Sequence, residues 1–492
     1  MILDRITQTI PDRITRMIPP KITRLFGDGV TAADRAKIIR GTVYSFLIQG
    51  VSIALVFVSG IWIVRSSDPA AYGLYVHIFN WVSLLAVVVM GGRDDLVLAQ
   101  LPKYIAGGQQ GKVRQLIRAA NGFIIVAAVV VMALFLAVIS IFPIKTLSGN
   151  RPLFLLAASA VYFSACLALN QMILQALNHI RLSQIVEKIG RPLLLIGFVG
   201  LFRLATKHAT LDSKNLVLAA SVVTGICSAA VLYLIWQKKK RYNTPPAPVV
   251  PAPADPVPLN VPASPIPPGV PASAAAPAEE LSGKARWFFF ISLLNLLGTK
   301  ITMLIIPWFA PQAAIGIFNI SYRFADLLIF PFFLMHTVLP QLFARHTATG
   351  TAYTQSLFSE SNKLMTLLSI PLLLLNIFGG RFFLHWFGPD FVQGYTALLY
   401  ISLAQFLFSF FGPANTILMM QDRERYSAGC LLVYVLALVG ASRLLIPIAG
   451  ITGGALAILI GSVVYNVLLA IVTWRHCGIR SPFFAFLVKP RQ

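Results

Sequence analysis

Runs of about 20 apolar residues recur along this chain, the length a helix needs to cross the hydrocarbon core of a bilayer. In that core every backbone N–H and C=O must be satisfied internally, and continuous apolar runs of this length do so as helices. Eleven are clear: Tyr44–Val64, Gly73–Gly92, Asn121–Phe142, Pro152–Leu177, Leu216–Trp236, Trp287–Ala310, Ala314–Leu339, Leu364–Phe387, Tyr395–Met419, Ser427–Ile446 and Ile451–Trp474. A weaker one, Ser183–Phe202, is interrupted by Glu187, Lys188 and Arg191. The predicted architecture is an all-α polytopic membrane protein with twelve transmembrane helices, as six plus six. Pro371 and the Gly379-Gly380 pair predict a kinked or short ninth helix. Only 12% of residues are charged and 57% are hydrophobic. A soluble chain carries about a quarter charged residues, so composition agrees with the runs.

The net charge of +23 would suggest nucleic acid in a soluble protein. Here it is largely topology. With the N-terminus in the cytoplasm, 30 of the 40 Lys and Arg residues fall on the inner side, as the positive-inside rule requires. Omitting the weak fifth helix would place Lys238, Lys239, Lys240 and Arg241 outside, which argues for keeping it. Both termini are expected in the cytoplasm, and no nucleic-acid partner is expected. No apolar signal core precedes residue 41, so no cleavable secretory signal is expected.

The organisation expected is a basic amphipathic segment over 1–40, helices 1 to 6 over 41–236, an Ala/Pro-rich linker over 237–285, helices 7 to 12 over 286–474 and a tail over 475–492. The opening segment repeats an octad three times between Asp4 and Gly27, with Arg5, Arg13 and Lys21 in register beside Ile6, Ile14 and Ile22. Apolar residues at i and i+4 flanked by basic ones suit a segment lying on anionic membrane lipids. Between Tyr242 and Gly283 stand 13 of the 31 prolines, which predicts an extended linker.

A fainter repeat joins the two halves. AYGLYVHIFNWVSLL (Ala71–Leu85) opens the second helix and AIGIFNISYRFADLL (Ala314–Leu328) the eighth. They share Ala71/Ala314, Gly73/Gly316, Leu84/Leu327 and Leu85/Leu328, and Asn80 aligns with Arg323. Six helices per half make the repeat parallel, an arrangement found in transporters.

Signatures of other classes are missing. The four cysteines have no metal spacing, and neither a metal nor another cofactor is expected. AGGQQGKV (Ala106–Val113) lacks the phosphate-loop spacing and reads as a polar turn. No nucleophile elbow or zinc helix is present, and the longest predicted external loop, Arg203–Asn215, is too short for a catalytic surface, so an enzyme is not expected. Arg93, Asp94 and Asp95 predict a local ion pair at the inner mouth.

These residues resemble the oligosaccharide and polysaccharide flippases, the Wzx-like branch of the superfamily that also holds the MATE exporters and the lipid II flippase MurJ. The resemblance rests on Arg65 followed by AAYGLY (Ala70–Tyr75), on GIFNISYRFADLL (Gly316–Leu328), and on HWFGPDFVQGYTAL (His385–Leu398) and LLIPIAGITGGALA (Leu444–Ala457). It spans roughly residues 38 to 475. It implies two six-helix lobes around a central cavity in a bacterial inner membrane. It also implies transport of undecaprenyl-pyrophosphate-linked oligosaccharide to the outer leaflet, with a polysaccharide polymerase as candidate partner. The octads and the Pro-rich linker depart from the family. The competing readings are a MATE-like drug exporter, which would want an acidic cavity, and a glycan polymerase or acyltransferase.

Charges inside the membrane mark the candidate site. Lys300 and Arg323 lie about 20 Å and 14 Å from their own starting faces at 1.5 Å per residue, so both are near mid-depth. Buried charge faces a cavity or a partner. Asp326 follows Arg323 at i+3, and the two are expected to pair. Lys300 then either faces an anionic substrate or also pairs with Asp326. Asn80, Asn295 and Asn319 are further substrate-binding candidates, in a lining expected to be lopsided toward the second half. Asp326, Glu187, Arg65 and His336 are candidates for coupling or gating, with Glu187 expected to pair with Arg191.

Overall fold

The structure, a computed structural model, describes residues 32–106, 108–141, 151–177, 179–206, 210–242, 278–332, 351–421 and 423–481. The opening octads, most of the Pro-rich linker and His336 lie outside them. The described residues form helices joined by short turns and no strand, only an isolated bridge between Ser67 and Leu211.

The first half holds α1 (Ala32–Ser66), α2 (Pro69–Met90), α3 (Arg93–Ala106), α4 (Gln110–Ile141), α5 (Arg151–Ala176), α6 (Ile180–Ile185), α7 (Arg191–Ala205) and α8 (Ser213–Tyr242). The second holds α9 (Ala278–Ile305), α10 (Gln312–Ala325), α11 (Thr351–His385), α12 (Tyr395–Phe411), α13 (Ala414–Met420) and α14 (Glu424–Cys477). Among the described residues ten helices are long and apolar enough to cross a membrane, with α14 taken as one, against the twelve expected. The differences are local. The expected eleventh and twelfth spans are both present within α14, as two helices that meet at a kink at Gly450 (φ 56°, ψ −130°). The expected fifth span is divided into α6, a π turn over Val186–Gly190, and α7. The expected tenth is interrupted at Gly412 (φ 83°) and Pro413, between α12 and α13. Pro371, by contrast, is accommodated inside a continuous α11.

Local chemistry sets where α2 begins and ends. Asp68 caps it by accepting from the Ala70 amide at 3.1 Å, Pro69 fills the first turn, and Gly91 closes it in the left-handed region at φ 55°. Within the first half α5 packs against both α2 and α8. In the second, α12 packs against α11 and α14, and α14 against α9. The two sets meet chiefly where α2 lies against α10 and α9.

The α2–α10 crossing depends on two glycines. A Cβ at Gly73 would stand 1.9 Å from the Gln312 carbonyl oxygen, and one at Gly316 would stand 2.9 Å from the Tyr72 ring and 3.4 Å from the Gly73 Cα. The positions that align in the half-to-half repeat therefore touch each other. Small residues let membrane helices approach to backbone contact, which is the source of their dispersion gain. Gly73→Val is expected to cost about 1–3 kcal/mol or more through overpacking and to lower the thermal midpoint of the detergent-solubilised protein. Gly429→Ala, where nothing lies within 4 Å, should leave the midpoint level or raise it slightly.

Candidate functional site

A cavity of about 410 Å³ lies between the two sets of helices. The first set contributes Ser52, Val56, Ser59 and Gly60 from α1, and Tyr72, Tyr75, Phe79 and Asn80 from α2. Glu187 and Lys188 enter from the π turn and Arg191 from the start of α7. The second set contributes Lys300 from α9, with Asn319 and Arg323 from α10. Four of these side chains are basic and one is acidic.

The π turn explains how the weak fifth run supplies three of the charged groups. Pro192 has no N–H to give the Lys188 carbonyl, so the α-helical ladder cannot continue through it. The Arg191 amide instead bonds the Val186 carbonyl, i to i−5, and the helix widens for one turn. That widening also breaks the spacing on which a Glu187–Arg191 pair depends. Among the described residues Glu187 makes no ion pair within 4.0 Å. Lys188 turns toward α1 and donates to Gln49 Oε1 at 2.5 Å. The lining is accordingly not lopsided, because Lys188 and Arg191 answer Lys300 and Arg323 from the other side.

The expected Arg323–Asp326 pair is also absent. At Asp326 the helix tightens into a 3-10 turn over Asp326–Ile329. The Asp326 carboxylate accepts from Gln405 Nε2 of α12 at 3.0 Å. Arg323 looks the other way, and its guanidinium occupies the space left by Gly60, where a Cβ would come within 3.2 Å of Nη1. Neither Lys300 nor Arg323 forms an ion pair within 4.0 Å among the described residues, although Asp326 is an electrostatic neighbour of Lys300. Both cations are therefore open to an anion in the cavity.

The candidate asparagines separate. Asn319 Oδ1 accepts from the Tyr72 hydroxyl at 3.1 Å, across the α2–α10 contact. Asn80 and Asn319 also both direct Nδ2 to the Met303 sulfur, at 3.6 and 3.7 Å. Asn295, in contrast, is exposed away from the cavity and donates to the Ile291 carbonyl one turn back in its own helix. It has the right chemistry on the wrong face.

The two sets of helices also touch on either side of the cavity. Where α1 ends, Arg65 Nε donates to the Trp386 carbonyl at 2.8 Å and Tyr72 meets Phe391 at 6.5 Å between centroids, while Phe57, more than two turns deeper in α1, packs on Phe324 at 4.7 Å. Toward the opposite end Ser292 Oγ of α9 donates to Asp95 Oδ2 of α3 at 3.0 Å. The predicted ion pair there is not formed. Arg93 instead stacks over Phe123 at 3.1 Å, which leaves Asp94 beside Asp95. Burial, reinforced by the Asp95 charge, raises the Asp94 carboxyl from 3.8 to about 6. Among the described residues no cluster of His, Cys, Asp and Glu is placed to hold a metal ion.

The charge pattern of the sequence does not single out Tyr72, Tyr75 and Phe79, and it marks Lys188 and Arg191 only as interruptions of an apolar run. A signal for the rings is present, as aromatic residues at i, i+3 and i+7 on one face of the second run.

Residues 38–346, more than half of the chain, match the family described as polysaccharide biosynthesis protein. No curated protein matches the chain. Among solved structures, an inward-facing multidrug resistance MATE family transporter of the MOP superfamily is similar at TM-score 0.69 and 12% identity, over 87% of this chain and 94% of that one. The lipid II flippase MurJ in an inward closed conformation follows at 0.64 and 10%, over 88% and 87%. A MOP superfamily transporter from Pyrococcus furiosus, described as having a binding pocket of reverse polarity, is similar at 0.62 and 13%, over 90% and 96%. The fold is that of these membrane transporters.

The polar contacts have measurable consequences. Gln405→Leu strands the Asp326 carboxylate and should cost about 1–3 kcal/mol in thermal melts, whereas Arg323→Ala removes no ion pair and should cost less. For Asp94, a raised folded-state pKa means the folded chain holds the proton more tightly than the unfolded chain. The carboxylate therefore costs stability as pH rises from about 4 through about 6, by up to about 3 kcal/mol above that window. Asp94→Asn should raise the melting midpoint near pH 8 and leave it level near pH 4.

Proposed function

The chain belongs to the polysaccharide biosynthesis protein family, and from that premise we propose that it is a flippase for a pyrophosphate-linked, lipid-anchored oligosaccharide, working by alternating access. The observation that carries this reading is the cavity with Lys188, Arg191, Lys300 and Arg323 against the single carboxylate of Glu187. A pyrophosphate is a compact multivalent anion. Two Arg forks and two Lys ammonium groups converging from both sets of helices supply the charge-assisted hydrogen bonds it needs. Uncompensated cations at membrane depth are costly, and an anionic cargo removes that cost when it binds. A drug exporter for cations would face repulsion from the same lining.

The cavity is of small-molecule size and accepts the head of such a substrate, not a long glycan. The contacts of Arg65, Phe57 and Tyr72 with the second set of helices lie toward one end, and a change of access must break them. In the proposed topology that end faces outward and both termini lie in the cytoplasm. The chain then sits in a bacterial inner membrane as two lobes, 41–236 and 286–474, with the 237–285 linker inside. Anionic lipids hold the basic opening segment, and a polysaccharide polymerase on the outer face takes over the product.

The test uses a strain lacking the gene and complementation by variants. The deletion strain should accumulate lipid-linked precursor and lose surface polysaccharide, and wild-type protein should restore both. Lys300→Ala at normal protein level should cut transport about tenfold or more, the loss of one charge-assisted contact, and Lys300→Arg should keep part of it. A deletion strain with normal polysaccharide and no precursor would remove the proposal.

A further inference from the structure

The cationic groups converge on the cavity from both sets of helices, and between them α2 presents a different chemistry. Tyr72, Tyr75 and Phe79 form a continuous aromatic ladder, with centroids 6.1 Å apart between the first two and 5.0 Å between the second two. Tyr72 is spoken for, since its ring packs at the Gly316 crossing and its hydroxyl bonds Asn319. Tyr75 and Phe79 are only partly buried and line the cavity. Among the described residues the Tyr75 hydroxyl and the Glu187 carboxylate have no hydrogen-bond or ion-pair partner.

Aromatic rings partly exposed in a cavity, beside an unpartnered carboxylate, suit neither a pyrophosphate nor a polyprenyl chain. The negative face of an aromatic ring repels phosphate oxygens, and free acceptors have nothing to accept from a hydrocarbon tail. They do fit a sugar ring. A pyranose presents a face of C–H groups, positive toward an aromatic face, and an equatorial rim of hydroxyls that donate to carboxylate and phenol oxygens. We propose that Tyr75 and Phe79 are a stacking platform for the first sugar of the cargo, with the Glu187 carboxylate and the Tyr75 hydroxyl bonding its rim. The inference rests on the flippase reading for the presence of a sugar, and it makes α2 and the π turn the place where sugars are discriminated. The discrimination has a physical basis: an analogue that lacks the bonded hydroxyl leaves a buried acceptor unpaired, which a polar site rejects far more strongly than an apolar one does.

The experiment measures binding to the purified full-length protein in detergent. The probes are a C20 polyprenyl pyrophosphate and the same lipid carrying glucose, galactose or N-acetylglucosamine on the terminal phosphate. Wild-type protein should bind at least one glycosylated probe about tenfold more tightly than the bare lipid pyrophosphate. Phe79→Ala, Tyr75→Ala and Glu187→Gln should each bring that ratio toward one. Phe79→Tyr, which keeps an aromatic face, should retain most of it. Lys300→Ala should weaken bare and glycosylated probes together with the ratio kept. A wild-type ratio of one for every sugar overturns the platform, and so does a ratio that survives Phe79→Ala together with Tyr75→Ala. Lys300→Ala that binds every probe as wild type, with the sugar preference intact, removes the pyrophosphate grip and leaves the platform standing.

Discussion

The contact between Gly73 and Gly316 is the constraint from which the rest of the arrangement follows. It brings the backbones of α2 and α10 together near one end, with no side chain between them. Beyond that point residues of both helices line the cavity: Tyr75, Phe79 and Asn80 from α2, and Asn319 and Arg323 from α10. A larger residue at either glycine would separate the helices where they have to touch, and would also break the Tyr72–Asn319 bond that lies beside the crossing.

The electrostatics of the cavity come from a mismatch left unresolved by the fold. Carboxylates are present nearby, yet Asp326 is bound to Gln405 and Glu187 is displaced by the π turn, so neither forms an ion pair within 4.0 Å with Arg323 or Lys300. Leaving cations unpaired at this depth opposes folding. Such a cost persists where function uses it, and the use proposed here is attraction of an anion that neutralises the lining when bound. Lys188 is the partial exception, since its bond to Gln49 ties the π turn to α1. Movement of α1 would therefore be felt by three of the charged groups in the lining.

The two ends of the cavity are held by different physics. Aromatic packing and one Arg–carbonyl bond join the two sets of helices toward the end near Arg65 and Trp386. A single hydroxyl–carboxylate bond between Ser292 and Asp95 ties α9 to α3 toward the other. Packing of large rings is lost only when the helices separate, whereas one hydrogen bond exchanges readily with water.

Much of this was legible in the sequence, because a bilayer imposes a length and a polarity on every segment that crosses it. Apolar runs placed the helices, and the aligned Gly73 and Gly316 marked a real contact. Lys300 and Arg323 were recognisable as cavity residues because a charge at membrane depth is too costly to leave facing lipid. What the runs could not reveal was direction around each helix axis. Asn295 looked equivalent to Asn319 until rotation put it on the outer face, and Asp326 looked like a partner for Arg323 until a 3-10 turn and Gln405 drew it away. The pairing of Glu187 with Arg191 failed because one proline changed the local pitch. Periodicity along a chain determines which segments are helical and how deep each residue lies. Which side chains share a cavity depends on pitch, rotation and the packing of helices distant in sequence, and those are settled only when the two sets of helices meet.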